Sequence, residues 1–172
     1  MAAKYKAFLI AILLSLALDQ GSKIWARHSL KPKYPDVVTV IPGFFELRYS
    51  ENTGSAFGLF RSLPYARYLF FVVGIGALWV VSSYLRRAKP EQRRLGVELG
   101  LLAGGAIGNI IDRAAFSRVT DFIVWKVAGH EWPTFNVADA ALVLGIVGLF
   151  IDLKPEKKEQ QQQAGKAKKK KA

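Results

Sequence analysis

Gly100-Leu-Leu-Ala-Gly-Gly-Ala-Ile-Gly-Asn-Ile-Ile-Asp112-Arg113 is apolar along most of its length, yet it holds Asn109 and closes on an acid and a base. A helix apolar on every face belongs in hydrocarbon rather than at a water surface. A carboxylate there is costly, so an intramembrane acid points to a functional site. The run from Phe135 to Phe150 repeats the combination, with Asn136 and Asp139 near its start.

Working outward, four stretches approach the roughly 20 residues needed to span a bilayer core about 30 Å thick. They are 7–25, 65–85, 95–113 and 134–153. The expected fold is an all-α membrane protein with four transmembrane helices and a small β-sheet element on the outer side. Residues 1–153 form one domain, and 154–172 a basic tail expected to be disordered, with eight lysines and the run Gln160 to Gln163. Lys4 and Lys6 ahead of an apolar run, with Ser15-Leu16-Ala17 as a passable cleavage site, imitate a leader. The segment is expected to be kept as the first membrane helix.

Charge distribution predicts the topology. Arg86, Arg87, Lys89, Arg93 and Arg94 crowd the link between the second and third helices, on the same side as Lys4, Lys6 and the tail. By the positive-inside rule both termini face the cytoplasm. The net charge of +12 then fits an anionic leaflet rather than nucleic acid. In the outer loops, Val37 to Ile41 and Phe44 to Tyr49 read as short strands around the Pro42-Gly43 turn. No internal repeat suggests a transporter built from inverted halves.

The polar residues meet at one depth. At about 1.5 Å per residue, Asp19 and Lys23, Asn109 to Arg113, and Asn136 with Asp139 all fall beneath the outer surface. Asn109 and Asp112 are i, i+3, as are Asn136 and Asp139, so each pair shares a helix face. Asp19 and Lys23 are i, i+4 with the acid first, the order of a structural ion pair. From spacing alone Asp121 is an ordinary loop acid.

With no cysteine, thiolate nucleophiles and cysteine-held metals are excluded. His28 and His130, the two histidines, are expected in loops far apart, and no His-Glu-x-x-His pair exists for a zinc hydrolase. Ser22 and Lys23 are neighbours on a helix and point about 100° apart, a poor dyad. Aspartates with amide support remain. Two close carboxylates share a proton, one activating water while the other acts as acid. That chemistry suits peptide hydrolysis and needs neither metal nor cofactor. A small proton-coupled transporter using the acids as a relay is the alternative, though its acids would be spread across the membrane.

Five motifs in order resemble the bacterial lipoprotein signal peptidases (signal peptidase II). They are Asp19-Gln20-x-Ser22-Lys23, Asn52-Thr53-Gly54-Ser55-Ala56-Phe57-Gly58, Gly105 to Arg113, Val119-x-Asp121-Phe122, and Phe135-Asn136-Val137-Ala138-Asp139. The resemblance implies a catalytic pair at Asp121 and Asp139. It implies supporting roles for Asn52, Asn109, Asp112, Arg113 and Asn136, with Asn52 and Arg113 on substrate backbone and Asp112 positioning Arg113. Asp19 and Lys23 stay structural. The implied partners are membrane lipids and diacylglyceryl-modified prolipoproteins, cut just before the lipidated cysteine, by a monomeric enzyme of the bacterial inner membrane. Phe44, Phe45, Tyr49, Phe57 and Phe60 would cover the substrate. Ser117 stands where that family usually has glycine, which predicts a changed loop path rather than lost activity.

Overall fold

The computed structural model describes residues 1–53 and 66–152, and only the backbone of 66 and 67. Residues 54–65, with Phe57 and Phe60, and the tail lie outside the described residues. Helix α1 (Ala3–Ser29) leads through a short turn (Lys31–Lys33) to strands β1 (Val38–Ile41) and β2 (Phe45–Asn52). Helices α2 (Ala66–Arg87) and α3 (Arg93–Phe116) precede β3 (Val119–Val127), β4 (His130–Glu131) and helix α4, residues 137–152. The molecule is mostly helical with one small antiparallel sheet, ordered β1-β2-β3-β4.

Three described helical segments are long and apolar enough to cross a membrane: Ala3–Lys33, Tyr68–Arg87 and Arg93–Phe116. Their outward faces carry exposed Leu13, Val72 and Trp79, side chains that water would not tolerate in such numbers. The third segment is central, 61% buried against 22% and 11% for the other two. Its glycines are the reason. Gly96, Gly100 and Gly104 recur every fourth residue on the face toward α1, so small residues let the two backbones close. A Cβ on Gly100 would stand 2.6 Å from the Phe8 carbonyl, and one on Gly104 would collide with the Ser15 hydroxyl. Gly105 and Gly108 accept α4 and Asp19 in the same way.

At the end of the bundle away from the sheet, Lys4 is buried. Its Nζ donates to the carbonyls of Leu85 at 2.7 Å and Ala88 at 2.5 Å, satisfying the orphan carbonyls of α2. At the other end the sheet packs on α1 through Ala26, Leu30, Tyr49 and Phe122.

Several boundaries differ from the sequence expectation. Helix α1 continues through Arg27 and His28, so His28 is helical rather than in a loop, and His130 lies in β4. Helix α3 runs one turn beyond Arg113 to a left-handed C-cap at Ser117 (φ 59). Helix α4 begins at 137 rather than 134, because Phe135 bridges Ile123 of β3 and holds that segment extended. The segment from Val119 is a nine-residue strand, closed onto β4 by the turn at Ala128 and Gly129, both at positive φ as a two-residue hairpin requires.

Candidate active site

Asn136 is the hub. It sits just ahead of α4, where its side-chain oxygen accepts the Asp139 N–H at 3.0 Å while an Asp139 oxygen accepts the Asn136 N–H at 3.2 Å. This is a capping box, the reciprocal lock of N-cap and N3 residues. Its amide nitrogen donates to Asp121 at 2.6 Å and to the side-chain oxygen of Asn109 at 3.2 Å. One residue therefore touches both aspartates that the motifs single out.

Each acid has a second amide. Asn109 donates to the other Asp139 oxygen at 2.8 Å, and Asn52 donates to Asp121 at 3.1 Å. Asp121 reaches the cluster because β3 alternates. Thr120 and Phe122 turn toward α1, where Thr120 meets Arg27 and Phe122 meets Trp25, so Asp121 faces the other way. Only 2% of its surface is exposed. Burial, then the charge of Asp139, pushes its carboxyl up to about 7, against the lowering effect of Asn52, Asn136 and Lys23.

Beneath the acids lies a fully buried charge cluster. Lys23 Nζ donates to Asp19 at 3.0 Å and Asn109 at 2.9 Å, and stands 3.7 Å from Asp112. Asp19 also accepts from Gln20 at 2.9 Å and from the Ala138 N–H at 2.9 Å. Asp112 accepts Arg27 at 3.3 Å and the Thr120 N–H at 2.9 Å. Asp112 is thus engaged by Lys23, Arg27 and β3. Its neighbour Arg113 instead donates to the Asn109 carbonyl at 3.3 Å and lies over the Phe70 ring, centroid 5.3 Å away. The Arg113 Nε is buried, with no hydrogen-bond partner among the described residues. Arg113 also borders a cavity of about 270 Å³ with Tyr68 and Phe71.

The structure brings together Asn52, Asn109, Asp121, Asn136 and Asp139 directly, and Asp19, Lys23 and Asp112 one layer below. Sequence reasoning missed Arg27 and Thr120. Arg27 continues the i+4 series of Asp19 and Lys23, a pattern that would have found it. Tyr49 does not join the aromatic cover: it is buried against Ala26 and Leu30, its hydroxyl donating to Glu51 at 2.7 Å. The rim on this side is Phe44 stacked on Trp125, with Phe135 edge-on to that ring. Among the described residues no three His, Cys, Asp or Glu side chains gather as a metal centre would require.

The sequence model of a family described as signal peptidase (SPase) II matches residues 11–154. The chain is similar to the lipoprotein signal peptidase of Geobacter metallireducens, 35% identical over 162 residues covering 93% of this chain and 98% of that protein. It is similar to that of Methylorubrum extorquens, 40% identical over 149 residues covering 86% and 85% of the two chains. A solved bacterial membrane enzyme superposes with a TM-score of 0.77 at 29% identity, over 89% of this chain and 92% of the other.

Proposed function

Because the chain belongs to the signal peptidase II family, and is thereby a peptidase, we propose that it removes the signal peptide from diacylglyceryl-modified prolipoproteins by an aspartate dyad, Asp121 and Asp139. The observation that carries the dyad is Asn136, hydrogen-bonded to both acids. Asp139, held by Asn109 and the α4 N-terminus, is the base that takes a proton from water. Asp121, raised to about 7, keeps its proton near neutral pH and polarises the scissile carbonyl. The water oxygen bonds to that carbon. As the tetrahedral intermediate collapses, the C–N bond breaks and the departing nitrogen takes a proton from the dyad. The two acids titrate as a pair.

Asn52 and the Nε of Arg113, which has no partner among the described residues, are the groups we assign to substrate backbone. The domain is residues 1–153, with α4 as the fourth membrane span and both termini in the cytoplasm. Arg86, Arg87, Arg93 and Arg94, gathered around the α2–α3 link, support that orientation. The dyad then lies near the outer leaflet of the bacterial inner membrane, where a lipid-anchored precursor arrives laterally. The enzyme works as a monomer, and its partners are these precursors and bilayer lipids.

The test is a gel-shift cleavage assay in lipid, comparing a diacylglyceryl-modified precursor with its unmodified form. Wild type should cut only the lipidated precursor, and Asp121→Asn and Asp139→Asn should fold but not cut. Full cleavage by either variant removes the dyad. No cleavage by folded wild type returns the acids to a proton relay, which an ion-flux measurement would then examine.

A further inference from the structure

Helices α1 and α4 both pack on α3, yet a recess of about 540 Å³ remains between them. Its floor is small: Ala11 and Ala141 are buried, and α3 adds Val97 and Leu101. Its banks are large and exposed, with Ile10, Leu14 and Leu18 on α1 and Leu144 on α4. From Ala7 to Leu18 the recess runs about 16 Å at the helical rise of 1.5 Å per residue. Ser15 keeps its hydroxyl on the Ile12 carbonyl at 3.1 Å, so the walls are apolar until Arg93 closes one end. The recess lies on the side of α4 opposite Asp139, since 137, 140, 141 and 144 share one helix face that 139 does not.

Arg93 also borders a second cavity, about 430 Å³, which shares Ala7 and Ile10 with the first and adds Lys6. Both cations are exposed, and among the described residues neither has a carboxylate within ion-pair distance. The next residue shows the contrast: Arg94 is paired with Asp152 at 2.9 Å and Glu98 at 3.3 Å. An apolar trough that ends in two unpaired cations complements a molecule with an alkyl tail and an anionic head.

We propose that this recess binds one anionic phospholipid, its acyl chain along α1 and α4 and its phosphate on Lys6 and Arg93. The proposal rests on the reading that the chain spans the bilayer. Lipids of zwitterionic head would bring an ammonium to the same cations and lose the attraction. A second copy packed here about a two-fold axis would set Lys6 and Arg93 against their own kind.

The test uses the full chain in nanodiscs of equal parts phosphatidylcholine and phosphatidylglycerol, read by native mass spectrometry of the released protein. Wild type should retain one phosphatidylglycerol about thirtyfold more often than phosphatidylcholine, from two interfacial cations. The Lys6→Gln/Arg93→Gln variant should fall to parity, and Ala140→Phe, which fills the trough, should retain neither. Because Lys6 and Arg93 are exposed, that pair decides the matter even if Ala140→Phe does not fold. No lipid preference in wild type, a preference that survives the double substitution, or a lipid-free dimer overturns the proposal. A chain that never enters the discs removes the membrane-spanning reading as well as the site.

Discussion

The carboxylate of Asp19 accepts the backbone N–H of Ala138 at 2.9 Å, so α1 holds the first turn of α4 immediately before Asp139. The same carboxylate neutralises Lys23, which is wholly buried. Removing one member of a buried pair strands the other charge, at about 3–5 kcal/mol. Asp19→Ala should therefore lower the melting temperature sharply in detergent. Asp19→Asn combined with Lys23→Met should recover part of the loss, and a double-mutant cycle measures how much.

Asn136→Ala removes the cap of α4 and the amide that joins the acids. Loss of the cap alone costs about 0.5–2 kcal/mol, so the variant should fold. Its kcat should fall about 10²–10³-fold with a small change in KM, the size seen when one preorganised hydrogen-bond donor is lost from an active site. Steady-state kinetics on a lipidated precursor checks both numbers. An unchanged kcat would leave Asn136 a purely structural cap.

Asp121 makes activity and stability depend on pH in linked ways. Its folded carboxyl, at about 7, binds a proton more tightly than the unfolded one near 3.8. Raising pH from 3.8 to 7 thus favours unfolding by up to about 1.4 kcal/mol per pH unit. That stability is present below 3.8 and gone above 7. Asp121→Asn does not titrate, so its melting temperature relative to wild type should rise between pH 5 and pH 8. Over the same range wild-type kcat/KM should fall above about 7 as the acid loses its proton.

Ser117 occupies a left-handed conformation at the end of α3, with φ 59 and its N–H on the Arg113 carbonyl. Residues with a Cβ are strained there and glycine is not. Ser117→Gly should raise stability by up to about 1 kcal/mol, the left-handed penalty of about 1–2 kcal/mol less glycine's greater loss of backbone freedom, with cleavage unchanged. A thermal melt of the two proteins decides it.

The helices were legible because apolar length is a coarse signal that needs no partner. Their ends were not. Asn136 and Asp139, read as two residues on one helix face, are an N-cap and its N3 partner, and only the bridge from Phe135 to Ile123 reveals that the helix has not yet begun. Strand β3 escaped notice because its first four residues are buried on both faces, which removes the alternation that marks a strand. By spacing alone Asp121 reads as an ordinary loop acid, and it is the family resemblance that singles it out. Tyr49 shares the α1-facing side of β2 with Leu47, as strand alternation gives, so it packs on Ala26 and Leu30 rather than in the cover.

The hydrogen bond from the Thr120 N–H to Asp112 has one more consequence. It fixes β3 to the end of α3 at a single residue, and in a strand the two faces alternate. Whether Asp121 looks into the cluster or away from it is thus a matter of parity. A single residue inserted between Thr120 and Asp121 would turn the carboxylate toward α1, with every element of the fold still in place.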